Sequence, residues 1–379
     1  MQLRSGATFR ADRKTAAPRQ EEYDVVDKIR LASVGTGRWA RVLANAVARG
    51  ERAALVSCFS RDEGKRREFQ QEFGIGRSAS SYEELLADPE IEGILLATPN
   101  DTHRELIVQA LEAGKGIYTE KPIAGSLEDA RAIGDAAKRT GSTFAVGHSA
   151  RRLAGSRVMK QWIEDGSLGD VSLAETNFSN ERGLELTADS WRAKTKSPGG
   201  PMVQLGIHHA DNLNYLLGPV RAVSAHSRRL YTKADIPDAV MAILEHESGA
   251  LSYMGTGWAS PSVYTINLQG TKANLRYDLD FKHWHEGHLA DQYSTLQSQS
   301  HELSYGESHR PRVPLPHTDM YLEQIEEFAM ATRGEATVEV GAEESTAALA
   351  VVHAAIVSSA RRGQAVEVAE IMSGQAKAA

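Results

Sequence analysis

The feature that most constrains this chain is a pair of glycines in Val34-Gly35-Thr36-Gly37-Arg38-Trp39-Ala40. An apolar run from Ile29 to Val34 leads into them. A helical pattern from Arg38 to Ala48 leaves them, with Gly50 placed to stop it. A strand, a glycine turn and a helix in this order let a pyrophosphate approach bare backbone. The helix start then offers unpaired N–H groups and partial positive charge. Ala40 fills the third position of the G-x-G-x-x-G/A pattern. Paired glycines also build ordinary turns, so this reading has to be tested against the rest of the chain. It assigns cofactor contact to Gly35, Thr36, Gly37, Arg38 and Trp39.

A second apolar run, Ala53 to Phe59, ends at Ser60-Arg61, with Lys65 one turn on. In a dinucleotide fold this strand end faces the adenosine ribose, where a carboxylate would select NAD. A hydroxyl and two cations suit a 2′-phosphate, so Ser60, Arg61 and Lys65 favour NADP over NAD, although Asp62 stands close enough to serve NAD. Ser81 to Leu86 reads as a short capped helix. Ile91 to Ala97 is continuously apolar, as expected of a strand covered on both faces. It ends at Thr98-Pro99-Asn100, followed by a capping box of Thr102 and Glu105 that opens a helix to about Ala113. Thr98, Pro99, Asn100 and His103 thus sit at the carboxyl end of a parallel strand, where cofactors bind. The next strand, Gly116 to Thr119, delivers Glu120-Lys121-Pro122. The proline keeps Lys121 out of helical dihedrals. A lysine held beside a nicotinamide could exchange a proton with an alcohol; the same tripeptide is also common on surfaces. Ser126 and Asp129 start a helix that stops near Gly141, and Phe144 to Gly147 is a further strand. This alternation predicts an α/β, doubly wound parallel sheet.

The pattern changes near residue 150. After a helix from Ala154 to Glu164 come strand-length runs at Val171–Phe178, Val220–Ser227, Asp238–Glu245, Ala250–Trp258, Thr265–Gln269 and Ala273–Tyr277. They predict an α+β domain with a mostly antiparallel open sheet. Leu279 to Pro316 reads as a long irregular excursion. Thr318–Thr332 and Glu343–Arg361 read as amphipathic helices that return toward the first domain. The divisions are an N-terminal arm (1–27), a nucleotide domain (28–150), an α+β substrate and oligomerisation domain (151–368) and a tail (369–379). Within the second domain, Met202 to Leu217 reads as one helix. There Gln204 and His208, four apart, share a face, and Asp211 is placed to orient the His208 ring. His283, His285 and His288 have the spacing H-x-H-x-x-H. No cysteine or carboxylate pattern accompanies them, so no metal site is assigned.

Bulk properties set limits. At 379 residues and net charge −7, the chain has room for two cores and no general attraction to nucleic acid or anionic membrane. The single cysteine, Cys58, precludes an internal disulfide and fits a reducing cytoplasm. The basic first twenty residues lack the apolar core of a secretory signal.

Taken in order, Gly35-x-Gly37, Thr98-Pro99-Asn100 with His103, Glu120-Lys121-Pro122, Trp191-Arg192, and Gly199-Gly200 leading to Gly206-x-His208 with Asp211 resemble the Gfo/Idh/MocA family. This is the family of glucose-fructose oxidoreductase, inositol dehydrogenase and rhizopine-catabolism proteins, and the likeness spans roughly residues 28 to 368. It implies a nicotinamide-binding Rossmann domain and hydride transfer between a secondary alcohol and NAD(P). It implies a homodimer or homotetramer formed through the second domain's open sheet. Lys121 and His208 match the family's catalytic lysine and histidine. The usual aspartate four residues before the histidine is Gln204 here, a neutral amide that cannot take a proton. Gln204, Trp191, Arg192, His148 and Arg151 are the expected substrate contacts, and Glu120 and Lys121 complete the cofactor set. The cations hint at an acidic substrate such as a sugar acid. The expected activity is oxidation of a cyclic polyol, sugar or sugar acid, or reduction of its ketone. The alternatives are a dihydrodiol-type dehydrogenase of aromatic degradation and a non-catalytic NAD(P)-binding regulator.

Overall fold

The computed structural model describes residues 28–187, 190, 200–280, 284–300 and 310–376. Five parallel strands form the first sheet: β1 (Ile29–Val34), β2 (Ala53–Phe59), β3 (Gly93–Leu96), β4 (Gly116–Glu120) and β5 (Phe144–Gly147). Their order is β2-β1-β3-β4-β5. The helices between them are α1 (Arg38–Arg49), α2 (Glu63–Phe73), α3 (Tyr82–Ala87), α4 (His103–Glu112) and α5 (Leu127–Thr140). β3, β4 and β5 are buried along their whole lengths because helices cover both faces. Cys58 is wholly buried, packed in a small satellite core with Phe69 and Ile75.

The second sheet has eight strands. They are β6 (Val171–Ser179), β7 (Val220–Arg228), β8 (Ala239–His246), β9 (Leu251–Gly257), β10 (Val263–Gly270), β11 (Ala273–Leu279), β12 (Ser294–Ser300) and β13 (Val366–Glu367). The order is β12-β11-β10-β6-β9-β8-β7-β13. Only β6 and β9 pair in parallel; every other pair is antiparallel. The predicted excursion after Leu279 is interrupted by β12, which pairs with all of β11. Its sequence, STLQSQS, buries only Leu296, so it carries almost no apolar signal.

The remaining helices are α6 (Ala154–Glu164), α7 (Arg182–Glu185), α8 (Ile207–Leu217), α9 (Met320–Thr332), α10 (Ala342–Ala360) and α11 (Val368–Ser373). Although its sequence suggests one apolar face, α10 buries eleven of its nineteen residues. It lies between α5 of the first half and α8 and β7 of the second. α9 packs on α1. Its Phe328 fills the space beside Gly93 and Gly116, where a Cβ would lie 3.1 and 3.4 Å from the ring. The chain therefore closes the seam between its halves with its own last helices.

Candidate active site

The glycine turn is pinned from both sides. Gly35 N–H donates to Phe59 O, and Ala97 N–H donates to Val34 O, each at 2.9 Å. Gly35 has φ +102°, and a Cβ there would lie 2.4 Å from Ala97 O, so only glycine fits. Gly37 is different: a Cβ on it would meet nothing within 4 Å. That open space lies at the uncapped start of α1, which has no acidic residue in its first turn. A pyrophosphate fits there with free N–H donors. The buried Asn100 Nδ2 has no hydrogen-bond partner, as a side chain meant for a ligand would. Thr36 is buried and its carbonyl accepts from Arg41. Pro99 and Thr98 continue the rim, with Thr98 Oγ1 2.8 Å from Thr102 Oγ1.

Two expectations change here. Thr102 does not form a capping box with Glu105; its hydroxyl turns back to Pro99 O (2.7 Å), and a 3₁₀ turn, Asn100–Thr102, precedes α4. His103, expected at the cofactor, has both ring nitrogens turned to backbone carbonyls. It is fully buried, with Nδ1 3.1 and 3.2 Å from Pro122 O and Ile123 O and Nε2 3.1 Å from Thr98 O. Its role is to tie the β3 loop to the Lys121-Pro122 segment, whose peptide bond is cis.

At the adenosine end, Asp62 caps α2 by accepting from Lys65 N–H (3.1 Å). Lys65 Nζ lies 3.8 Å from the same carboxylate. Ser60 O accepts from Arg66 (3.0 Å), which the sequence reading overlooked. Arg61 is exposed and, among the described residues, makes no hydrogen bond or ion pair.

The candidate catalytic residues lie at the seam. Lys121, at the end of β4, donates from Nζ to the backbone carbonyl of Gln204 at 2.8 Å. Gln204 lies in a π-helical turn, Met202–Gly206, so the predicted helix from Met202 becomes regular only at Ile207. Such single turns widen the backbone and recur at functional sites. Thr256 grips this turn at both ends. Its Oγ1 is 3.3 Å from Pro201 O, and its Cγ2 is 3.5 Å from where a Gly206 Cβ would stand. The Gln204 side chain is 8% exposed, and its Nε2 has no partner.

His208 opens α8. It is buried against Phe178 (ring centroids 5.6 Å apart) and Trp284 (5.1 Å). Burial holds its pKa well below the usual range, and the charges of Lys121, His148 and His209 push the same way, so the ring is neutral. Its Nδ1 has no partner. His148, after β5, is also buried, with neither nitrogen hydrogen-bonded. Burial pushes its pKa down to about 4, against the pull of Asp211. Glu120 is buried beside Lys121; burial raises its pKa and the lysine draws it back.

Asp211 does not orient His208. It accepts a bidentate pair from Arg151, Nε to Oδ2 at 2.8 Å and Nη2 to Oδ1 at 2.6 Å. Arg151 is therefore not a free substrate cation: its charge is neutralised on Asp211, and its guanidinium lies 5.2 Å over the Tyr215 ring. Beside it Arg152 pairs with Glu327 (2.7 Å) and Arg157 with Glu339 (2.7 Å). Trp191, Arg192 and His283 lie outside the described residues. Arg38 Nη2 donates to His285 Nδ1 at 3.0 Å, and the Trp39 ring sits 5.1 Å from that imidazole. No group of three His, Cys, Asp or Glu among the described residues is arranged to hold a metal.

Comparison with known proteins follows the same division. Residues 29–148 match the model of the oxidoreductase family with an NAD-binding Rossmann fold, and residues 156–276 match the GFO/IDH/MocA C-terminal domain. The chain belongs to the Gfo/Idh/MocA family. It is an NAD(P)-dependent oxidoreductase. Among its relatives is 1,5-anhydro-D-fructose reductase of Ensifer adhaerens, 27% identical over 89% of this chain and 98% of that protein. Another is scyllo-inositol 2-dehydrogenase (NAD(+)) of Bacillus subtilis, 29% identical over 65% of this chain and 73% of that protein. A solved structure from Desulfitobacterium hafniense, described as a candidate NADPH-dependent oxidoreductase, is 41% identical. It has a TM-score of 0.88 and covers 91% of this chain and 99% of that one.

Proposed function

We propose that this family member moves a hydride between the nicotinamide and a ring secondary alcohol, or its ketone, on a cyclic polyol, sugar or sugar acid. The single observation that carries this is the Lys121 ammonium, held 2.8 Å from the Gln204 carbonyl amid buried, neutral histidines. A bound nicotinamide accepts or gives the hydride at C4, and every proton movement falls to the chain. Once the ammonium has released its proton to solvent, the neutral Lys121 amine takes the hydroxyl proton as the C–H bond breaks; in the reverse direction the ammonium returns it. His208, neutral, makes one hydrogen bond to the same oxygen. Gln204 Nε2 donates to a neighbouring oxygen. The carbonyl that holds the lysine is the backbone of residue 204, so the amide side chain is left to donate to substrate. The names of the two relatives, one a reductase of an anhydro-sugar and the other a dehydrogenase of an inositol, support the substrate class. The uncommitted Arg61 beside Ser60, and the engagement of Asp62 as a helix cap, support NADP over NAD.

The test is a screen of purified protein with both cofactors against cyclic polyols, sugar acids and aromatic dihydrodiols. A substrate should emerge with a lower KM for NADP than for NAD. Lys121→Met should cut its kcat at least ~1,000-fold and leave NADPH binding intact. Turnover that survives this change would refute the mechanism.

We also infer that the second sheet's open face seats another copy of the chain. Met241 (60% exposed), Ile243 (56%) and Leu251 (46%) stand on adjoining strands there. Light scattering should give a multiple of 41.2 kDa; a monomeric mass would refute this.

A further inference from the structure

A cavity of about 400 Å³ adjoins the seam, within the range of about 300–1,000 Å³ that small-molecule sites use. Its lining follows closely in the chain on two aromatics that pack against His208. Phe178, which packs on His208, belongs to β6, and the chain passes from there to Arg182 in α7. Trp284 also packs on His208, and the next residue, His285, lines the cavity. Arg38 and Arg182 line it from opposite halves of the chain, and Glu181, Glu185 and Asp280 line it too.

The two guanidinium groups in this cavity are not committed to carboxylates among the described residues. Glu181 accepts from Ser262 Oγ at 3.1 Å. All three carboxylates are exposed, whereas Arg182 is half-buried. Among the described residues neither guanidinium forms an ion pair, and the Arg182 guanidinium makes no hydrogen bond. Arg38 donates to a nitrogen rather than to an anion. A guanidinium can only donate, so His285 Nδ1 is an acceptor, and the ring is neutral with its proton on Nε2. Burial first, then Arg38 and Arg182, push the His285 pKa down to about 4. Burial and the charge of Arg38 also disfavour the Arg182 cation, more than Glu181 and Glu185 favour it. Two guanidinium groups thus share a cavity with three exposed carboxylates, yet among the described residues neither is engaged in an ion pair.

We propose that Arg182, assisted by Arg38, binds the carboxylate of a polyhydroxylated acid whose alcohol end reaches Lys121. A guanidinium fork matches a carboxylate in two parallel hydrogen bonds. The exposed carboxylates of Glu181, Glu185 and Asp280 can accept from the same ligand's hydroxyls. Arg182 thus replaces Arg151 as the residue that reads acidity. The kinetic form of this proposal rests on the oxidoreductase reading above; its binding form does not.

The test uses matched probes, D-glucuronate with D-glucose and D-galacturonate with D-galactose, and full-length enzyme with NADP. The acid should be the better substrate in at least one pair. Arg182→Gln should lower the acid-to-neutral ratio of kcat/KM at least ~10-fold, and Arg182→Lys should restore part of it. NADPH affinity, read by protein fluorescence, should change less than ~2-fold. Neutral sugars preferred in both pairs, or an unchanged ratio in Arg182→Gln, would overturn the proposal. A large loss of NADPH affinity would do so too, by assigning Arg182 to the cofactor's phosphates. Where no probe is turned over, the two acids are titrated calorimetrically into NADPH-loaded enzyme. Saturable binding that Arg182→Gln abolishes and Lys121→Met retains supports the subsite independently of the reaction. No binding of either acid overturns it.

Discussion

Two polar regions lie side by side in the seam between the halves, and they are built on opposite rules. In one, Arg151 and Asp211 form a bidentate pair, with Arg152–Glu327 and Arg157–Glu339 beside it, so each buried charge has a counter-charge. In the other, Gln204 Nε2, His208 Nδ1 and both His148 nitrogens are buried with no partner. A folded protein rarely leaves buried donors and acceptors unpaired unless something else completes them. The first region is a brace. The second carries the uncommitted donors and acceptors that the proposed reaction would use. Their nearest approach, His148 Nδ1 3.8 Å from Asp211 Oδ1, joins the two without a formed hydrogen bond.

Two substitutions should separate them. Lys121→Met is expected to remove at least ~1,000-fold of kcat while the melting temperature stays within a few degrees. Asp211→Asn should do the reverse. It leaves the buried Arg151 guanidinium against a neutral amide, with only the longer contact to Glu339 (3.9 Å) as counter-charge, which costs up to about 3 kcal/mol. Denaturant unfolding should record that loss, while folded protein keeps turnover within roughly tenfold of the parent. If Asp211→Asn cut kcat as deeply as Lys121→Met at unchanged stability, the two regions would be one catalytic unit.

The brace shows where sequence reasoning stops. In the first half, strand, turn and helix follow one another locally, so β1, β2 and β5 are bounded in the sequence as in the fold. Ser126 likewise caps α5 through Asp129 N–H, as its spacing predicts. Lys121 and His208 stand out because each sits at an element end beside proline or glycine. Charge partnerships are not local: Asp211 is sixty positions from Arg151, so its spacing to His208 misdirected the reading. The π turn was hidden for another reason. A helical window does not reveal one widened turn, and the Thr256 of β9 that packs against this one is fifty positions further along the chain. Arg182 follows a strand end and precedes Gly183, much as Lys121 precedes Pro122, but its cavity is completed by Arg38 and His285 from distant parts of the chain, which no local pattern brings together.

The smallest effect concerns acid. His209 is the neighbour of His208, and its ring stacks 4.8 Å from Tyr264. Neither nitrogen makes a well-formed hydrogen bond, although the Asn177 backbone lies near enough to favour the cation slightly. Burial pushes its pKa down to about 4, against roughly 6.5 in an unfolded chain. Between these values the unfolded chain binds more protons than the folded one. The stability contribution is therefore complete above pH ~6.5 and drains away as pH falls toward the folded pKa. From pH 7 to 5 it amounts to about 2 kcal/mol. Glu120, whose pKa burial raises, acts in the opposite sense over the same window, so total stability is a poor readout. The difference between parent and His209→Phe isolates the histidine. Phenylalanine keeps the stack on Tyr264 and has no proton to bind, so the variant should lose about 2 kcal/mol less on acidification in urea titrations at the two pH values. Parallel losses in both proteins would mean that His209 is protonated, or already paired, in the folded state.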